Sequence, residues 1–247
     1  MSRKTAVLQG LKAQIQRLER FESLQGRTHA VLPFGVPEVD ACWPDGFPIA
    51  ALHEVSGAPT AAGFTAATAF TAALGARLKR NVLWCTTGHE LYAPGLAGLG
   101  LPPSRLLIAT ARTEADVLAV MEEGLRHTSL ACVVGEITKL DLTTSRRLQL
   151  ASEKSGVMCV SLRKPHRDIE PTAATSRWRI APMSAAAHVI PQAGRARWQV
   201  ELLRARSGHT GSWNIEAPNA QGYLGFSSQL ADRSTGEAFR PAHRLAG

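Results

Sequence analysis

The sequence predicts an α/β fold, a mostly parallel sheet flanked by helices and extended by antiparallel strands near the C-terminus. Three observations carry that prediction. Five almost continuously apolar runs, Ile49–Val55, Val82–Cys85, Leu106–Ala109, Leu130–Val134 and Val157–Leu162, begin 24 to 33 residues apart, the spacing that a strand, crossover helix and return strand require. Helical stretches lie between them: the alanine-rich Ala66–Lys79, then Glu114–Arg126 with Val117, Val120, Met121 and Leu125 on one face, then Thr143–Lys154 with Leu148 and Ala151 inward. Strands without polar alternation are buried on both faces, so the helices must cover both. From Trp178 the pattern changes to short segments, Trp178–Ile180, Trp198–Leu203, Trp213–Ile215 and Tyr223–Phe226, parted by Gly, Pro, Asn or Ser. These predict antiparallel strands along one edge.

Outside that core, residues 3 to 24 place Leu8, Leu11, Ile15 and Leu18 on one side of a basic amphipathic helix that Gly26 ends. Residues 1–26 are assigned to this helix, 27–230 to the core domain and 231–247 to a loose tail with few apolar residues. The Gly- and Pro-rich stretch from Pro33 to Pro48 reads as a linker. No run reaches the roughly 18 apolar residues of a membrane span, and the N-terminus lacks a secretory core, so a cytoplasmic chain without membrane partners is expected. Cys42, Cys85, Cys132 and Cys159 form no C-x-x-C pair and read as buried hydrophobes. The histidines show no paired spacing, so no metal site is assigned.

A frame for phosphate binding follows the first strand: Glu54-Val55-Ser56-Gly57-Ala58-Pro59-Thr60-Ala61-Ala62-Gly63-Phe64-Thr65. Strand, glycine, small residues, glycine, hydroxyl and helix stand in the order of a loop whose N–H groups cradle phosphates. Yet five residues rather than four separate Gly57 from Gly63, and Phe64 replaces the lysine that reaches the β/γ-phosphates. Thr65 alone offers one Mg²⁺ contact. The run Leu130–Val134 ends in Gly135 where a carboxylate is needed, and Glu136 is one place late, an offset that turns a strand side chain to the other face. No catalytic residue and no cofactor are assigned, and a chain that does not hydrolyse ATP is expected.

The stretches Gly35–Asp40, Gly46–Pro48 and His53–Gly57 resemble the approach to the phosphate loop of RecA-type recombinases. Val82–Leu91 is similar to the strand that carries their catalytic glutamate, with Gly88 at the glutamate's position and His89 beside it. Thr144–Ala151, Ser176–Ile180, Arg197–Arg206 and Gly211–Glu216 resemble the ImuA family, RecA/SulA-like accessory proteins of bacterial damage-induced mutagenesis. That likeness implies a RecA-like fold and a non-catalytic scaffold in error-prone translesion synthesis and the SOS response. It implies partners too: an ImuB-like inactive polymerase and an error-prone C-family polymerase, then RecA, single-stranded DNA and a further copy of the chain. A SulA-like cell-division inhibitor and a divergent DNA-dependent ATPase stand as alternatives.

Charge bears on the DNA partner. The formal net charge is +8, and residues 163–206 hold nine Lys/Arg against three acids, a local surplus that favours a polyanion. In RecA-type folds the loops after the fourth and fifth strands face DNA. Arg163, Lys164, Arg167, Arg177 and Arg179 are therefore the candidate DNA contacts, Arg177 and Arg179 sharing one face of a strand with Trp178 on the other. Trp178, Trp198 and Trp213 are assigned to core packing.

Overall fold

The structure, a computed structural model, describes residues 30–88, 91–165, 170–183 and 195–226. The segments assigned to the N-terminal helix and the C-terminal tail lie outside the described residues, as do His89 and Arg167. The strands are β1 Leu52–Gly57, β2 Asn81–Thr86, β3 Leu106–Thr110, β4 Leu130–Ile137, β5 Met158–Arg163, β6 Ser176–Pro182, β7 Arg197–Ala205, β8 Gly211–Glu216 and β9 Gly225–Phe226. They form one sheet in the order β3-β2-β4-β5-β1-β6-β7-β8-β9. Pairings from β3 through β6 are parallel, and those from β6 to β9 are antiparallel. The expected fold class is observed, with β1 one strand-turn later than its apolar run and the last strand only two residues long.

The helices start where their caps are. In α2 (Ala61–Ala76) the Thr60 hydroxyl accepts the Gly63 N–H, so the helix begins five residues before the alanine-rich stretch alone indicates. A Thr113/Asp116 capping box starts α4 (Glu114–Gly124), and Asp141 caps α5 (Leu142–Ser155). Gly156, at φ 78°, ends α5 in the left-handed conformation that glycine adopts without a Cβ clash. Two short α-helices, α1 (Pro37–Asp40) and α3 (Ala93–Ala97), and a 3-10 turn at Pro103–Arg105 complete the described set.

Helix α2 packs on one face of the sheet with Phe70, Trp84, Val134, Val160, Leu162 and Trp178. Helices α4 and α5 cover the other face over Leu52, Cys85, Val133, Ile137 and Cys159. The four cysteines are buried and unpaired, and burial pushes the Cys85 thiol up to about 12. They behave as small hydrophobes. Trp178 and Trp198 are core residues, and Trp213 is partly buried against them.

The Pro33–Pro48 segment is not a linker. Phe34, Val36, Val39, Trp43 and Phe47 are buried core residues, and the Asp40 carboxylate accepts the N–H groups of Phe34 (2.6 Å) and Gly35 (3.0 Å). Gly and Pro here shape turns between apolar anchors; the alternation of the two residue types hid a packed strap.

This strap meets a buried polar relay. His53 Nε2 lies 2.8 Å from the Pro48 carbonyl, which can only accept, so Nε2 carries the proton. Nδ1 then accepts from Ser176 Oγ at 2.7 Å, and Ser176 Oγ accepts Trp178 Nε1–H at 2.8 Å. Burial lowers the His53 pKa from 6.5 to about 4. Between those values the unfolded chain takes up a proton that the folded chain refuses. Stability is therefore full above pH 6.5, falls as pH drops through that window, and levels off below about 4, by up to about 3 kcal/mol. Denaturant titrations from pH 7 to 4.5 are expected to show this decline, and His53→Gln to flatten it whatever its stability at pH 7.

Candidate phosphate loop and nucleic-acid site

Strand β1 delivers Gly57 to the N-terminus of α2, where a phosphate would meet free N–H groups. Here the chain itself takes several of the loop's donors and leaves the N–H groups of Ala61 and Ala62 without an internal partner. Ala58 N–H bonds the Ile180 carbonyl of β6 at 2.9 Å, and Phe64 N–H bonds the Thr60 carbonyl at 3.1 Å. Gly63 N–H bonds Thr60 Oγ1 at 3.0 Å. Thr65, the candidate Mg²⁺ ligand, turns its hydroxyl back to the Ala61 carbonyl at 3.0 Å. A Cβ on Gly57 would meet the Gly63 carbonyl at 2.3 Å, and one on Gly63 would meet the Ala58 carbonyl oxygen at 2.3 Å. Both glycines thus serve backbone-to-backbone closure of the loop. Phe64, at the lysine's position, packs against the core cluster of the α2 face.

The expectation for Glu136 is corrected. Strand β4 does not stop at Val134 but runs buried to Ile137. Gly135 faces α4, where a Cβ would meet Met121 Sδ at 2.0 Å. Glu136 therefore shares the face of Cys132 and Val134, which is the face of α2. The side-chain parity was legible in the apolar run; the error lay in ending the strand too early. The carboxylate accepts Trp84 Nε1–H at 2.8 Å and Thr86 Oγ1–H at 2.9 Å. Lys164 Nζ stands 3.9 Å from it and 3.3 Å from Thr87 Oγ1. Gly88 donates its N–H to Thr86 Oγ1 at 3.1 Å. An acidic group thus stands on the α2 face near the end of β4, with both oxygens engaged.

Of the candidate DNA contacts, Arg163, Arg177 and Arg179 share one face of the sheet across β5, β1 and β6, and they are partly neutralised. Arg177 binds Glu54 through Nε at 2.5 Å and the Glu170 carbonyl through Nη2 at 2.9 Å. Arg179 lies on the same face and pairs with Glu201. Arg163 is half-buried, and desolvation lowers its pKa. Lys164 turns toward Glu136 on the other face. Among the described residues no three His, Cys, Asp or Glu side chains stand together as metal ligands, and no helix is long and apolar enough to cross a membrane.

A scan against protein-family profiles finds no match. "Protein ImuA" of Caulobacter vibrioides, in strains NA1000 / CB15N and ATCC 19089 / CIP 103742 / CB 15, is 40% identical over 229 residues, covering 84% of this chain and 93% of the relative. The chain belongs to the ImuA family. Its fold is also that of the RadB recombinase crystal structure, with a TM-score of 0.55 at 18% identity over 79% of this chain and 99% of that one. The ImuA-like segments of the sequence fall on α5 and on strands β6, β7 and β8. Three of the four segments therefore lie in the antiparallel extension.

The closed loop of this ImuA-family chain is testable by substitution. Gly57→Ala is expected to cost about 2 kcal/mol or more, because its Cβ has nowhere to go. Gly98→Ala, whose nearest neighbour would be 3.6 Å away, is expected to stay within about 0.5 kcal/mol of the parent. Urea midpoints compare the two.

Proposed function

We propose that the chain is a non-catalytic RecA-like scaffold in error-prone translesion synthesis. In this reading it links an ImuB-like inactive polymerase to an error-prone C-family polymerase during the response to DNA damage. The observation that supports it most is the phosphate loop in which Phe64 stands where a lysine would hold the triphosphate, while the chain itself takes the N–H groups of Ala58, Gly63 and Phe64. Phosphoryl transfer depends on positioning and electrostatic stabilisation, and the loop offers neither. The family relationship supports this cellular setting, and in the same reading RecA and further copies of the chain are additional partners.

Direct contact with single-stranded DNA forms part of this reading, through Arg163, Lys164, Arg167, Arg177 and Arg179. The ion pairs of Arg177 and Arg179 set its strength. If all five cations meet phosphates, the log–log salt slope is about −3.5, at about 0.7 per contact; if Arg177 and Arg179 stay with their carboxylates, it is about −2. A flat salt response, or no binding at low salt, would remove DNA from the account.

Turnover and assembly test the proposal separately. The purified chain with Mg·ATP and single-stranded DNA is expected to hydrolyse at background rate, and Phe64→Lys not to raise it. Co-expression with the ImuB-like protein is expected to yield a complex that survives gel filtration. DNA-stimulated turnover lost in Thr65→Ala, or failure of that complex to form, would contradict the scaffold reading.

A further inference from the structure

Strands β5 and β6 lie on either side of β1 and run parallel to it. The chain from Arg163 to Ser176 must therefore cross back over β1. The described part of that crossover holds no helix, so its buried N–H and C=O groups need partners from elsewhere. Thr172, Ala174 and Thr175 are buried, Ala174 in the apolar cluster under α4 and α5. Neighbours satisfy two of the N–H groups: Ala173 donates to Ser145 Oγ at 3.0 Å, and Thr175 to the Leu52 carbonyl at 2.8 Å. The carbonyls of Glu170 and Thr172 are satisfied by arginines. Arg177 Nη2 donates to the Glu170 carbonyl at 2.9 Å and to Thr172 Oγ1 at 3.3 Å, and Arg204 Nη1 donates to the Thr172 carbonyl at 2.8 Å.

Arg177 and Arg204 are cross-strand partners on β6 and β7, paired just before the register shift between Arg177 and Trp178. Like charges so placed weaken a ladder unless something holds them. Glu54 supplies the counter-charge: it stands opposite Arg177 on β1 and accepts its Nε–H at 2.5 Å. The Glu54 and Arg177 side chains are 4% and 16% exposed. Turning Arg177 to a phosphate would leave a buried carboxylate and the Glu170 carbonyl unmatched. Arg179 on the same face differs. Its side chain is 47% exposed and pairs with a Glu201 that is 20% exposed, the kind of surface pair that exchanges for another anion at little cost. We propose that Arg177 is a positioning residue that, with Glu54 and Arg204, clamps the β5–β6 crossover onto β1 and β6, and that of the two β6 arginines only Arg179 is free to meet a phosphate. The clamp stands without DNA; its consequence for DNA rests on the proposed function and sets the salt slope one contact below five, at about −2.8.

Two measurements on the full chain test it. Arg177→Lys keeps the charge and loses the planar fork that reaches Glu54, Glu170 and Thr172 together. The Ala173 and Thr175 amides are expected to exchange with solvent about tenfold faster or more in Arg177→Lys, and at the parent rate in Arg179→Lys, while the Val133 amide of β4 stays unchanged in both. Should Arg177→Lys not fold, Arg204→Lys, at an exposed position, is expected to give the same local acceleration through the Thr172 carbonyl. In titrations with single-stranded DNA, Arg179→Met is expected to reduce the log–log salt slope by about 0.7 and Arg177→Met to leave it as it is. An equal reduction in both would make Arg177 a phosphate contact and overturn the proposal. So would unchanged exchange at 173 and 175, or an acceleration shared equally by Val133. No DNA binding by the parent chain would instead remove DNA from the proposed function, and the exchange rates alone would then decide the clamp.

Discussion

The approach of the Gly57 backbone to the Gly63–Phe64 peptide governs the rest of the site. With no Cβ on either glycine, β1 passes directly into the N-terminus of α2, and a Cβ on Gly57 would lie 2.3 Å from the Gly63 carbonyl. That closeness sets the Thr60 cap, which consumes the Gly63 N–H. It also sets the turn that gives Ala58 N–H to β6. A phosphate cradle needs the opposite arrangement: glycines spaced so that amide groups converge on an empty concavity. The same residue type in nearly the same frame builds a closed joint here.

Electrostatic compensation follows the same logic across the carboxyl ends of the strands. Glu136 is held by Trp84, Thr86 and Lys164, and Glu54 by Arg177. These pairs are buried or nearly so, where an unmatched charge is costly and one with a hydrogen-bonded partner is tolerated. Lys164 stands against Glu136 and Thr87, and Arg177 ties β6 to the strand that leads into the loop. The pairing is incomplete, since Glu54 Oε1 and Arg163 Nη1 are buried without a hydrogen-bond partner.

Much of this was legible in the chain. Apolar runs at crossover spacing revealed the parallel strands, and the shift to short Trp-bearing segments revealed the antiparallel extension, because both depend on local burial patterns. Phe64 stood out because one missing lysine changes the chemistry outright. Three features were not legible. The Pro33–Pro48 strap was obscured because its turn residues are as frequent as its apolar anchors, although Phe34, Trp43 and Phe47 carried the signal. Glu136 was misplaced because Gly135 interrupts the apolar run, and only contact with Met121 explains a glycine inside a strand. The partners of Arg177 and Arg179 lie 123 and 22 residues away, a pairing that strand order decides and composition does not.

Amide NMR of the loop tests the central claim most directly. With millimolar Mg·ATP added, the ¹⁵N–¹H signals of Ala58, Gly63 and Phe64 should keep their positions, because each donor already has a partner within the chain. Saturable downfield movement of the Gly63 and Phe64 amides, abolished by Thr65→Ala, would show that the loop opens and grips a phosphate, and would contradict the account.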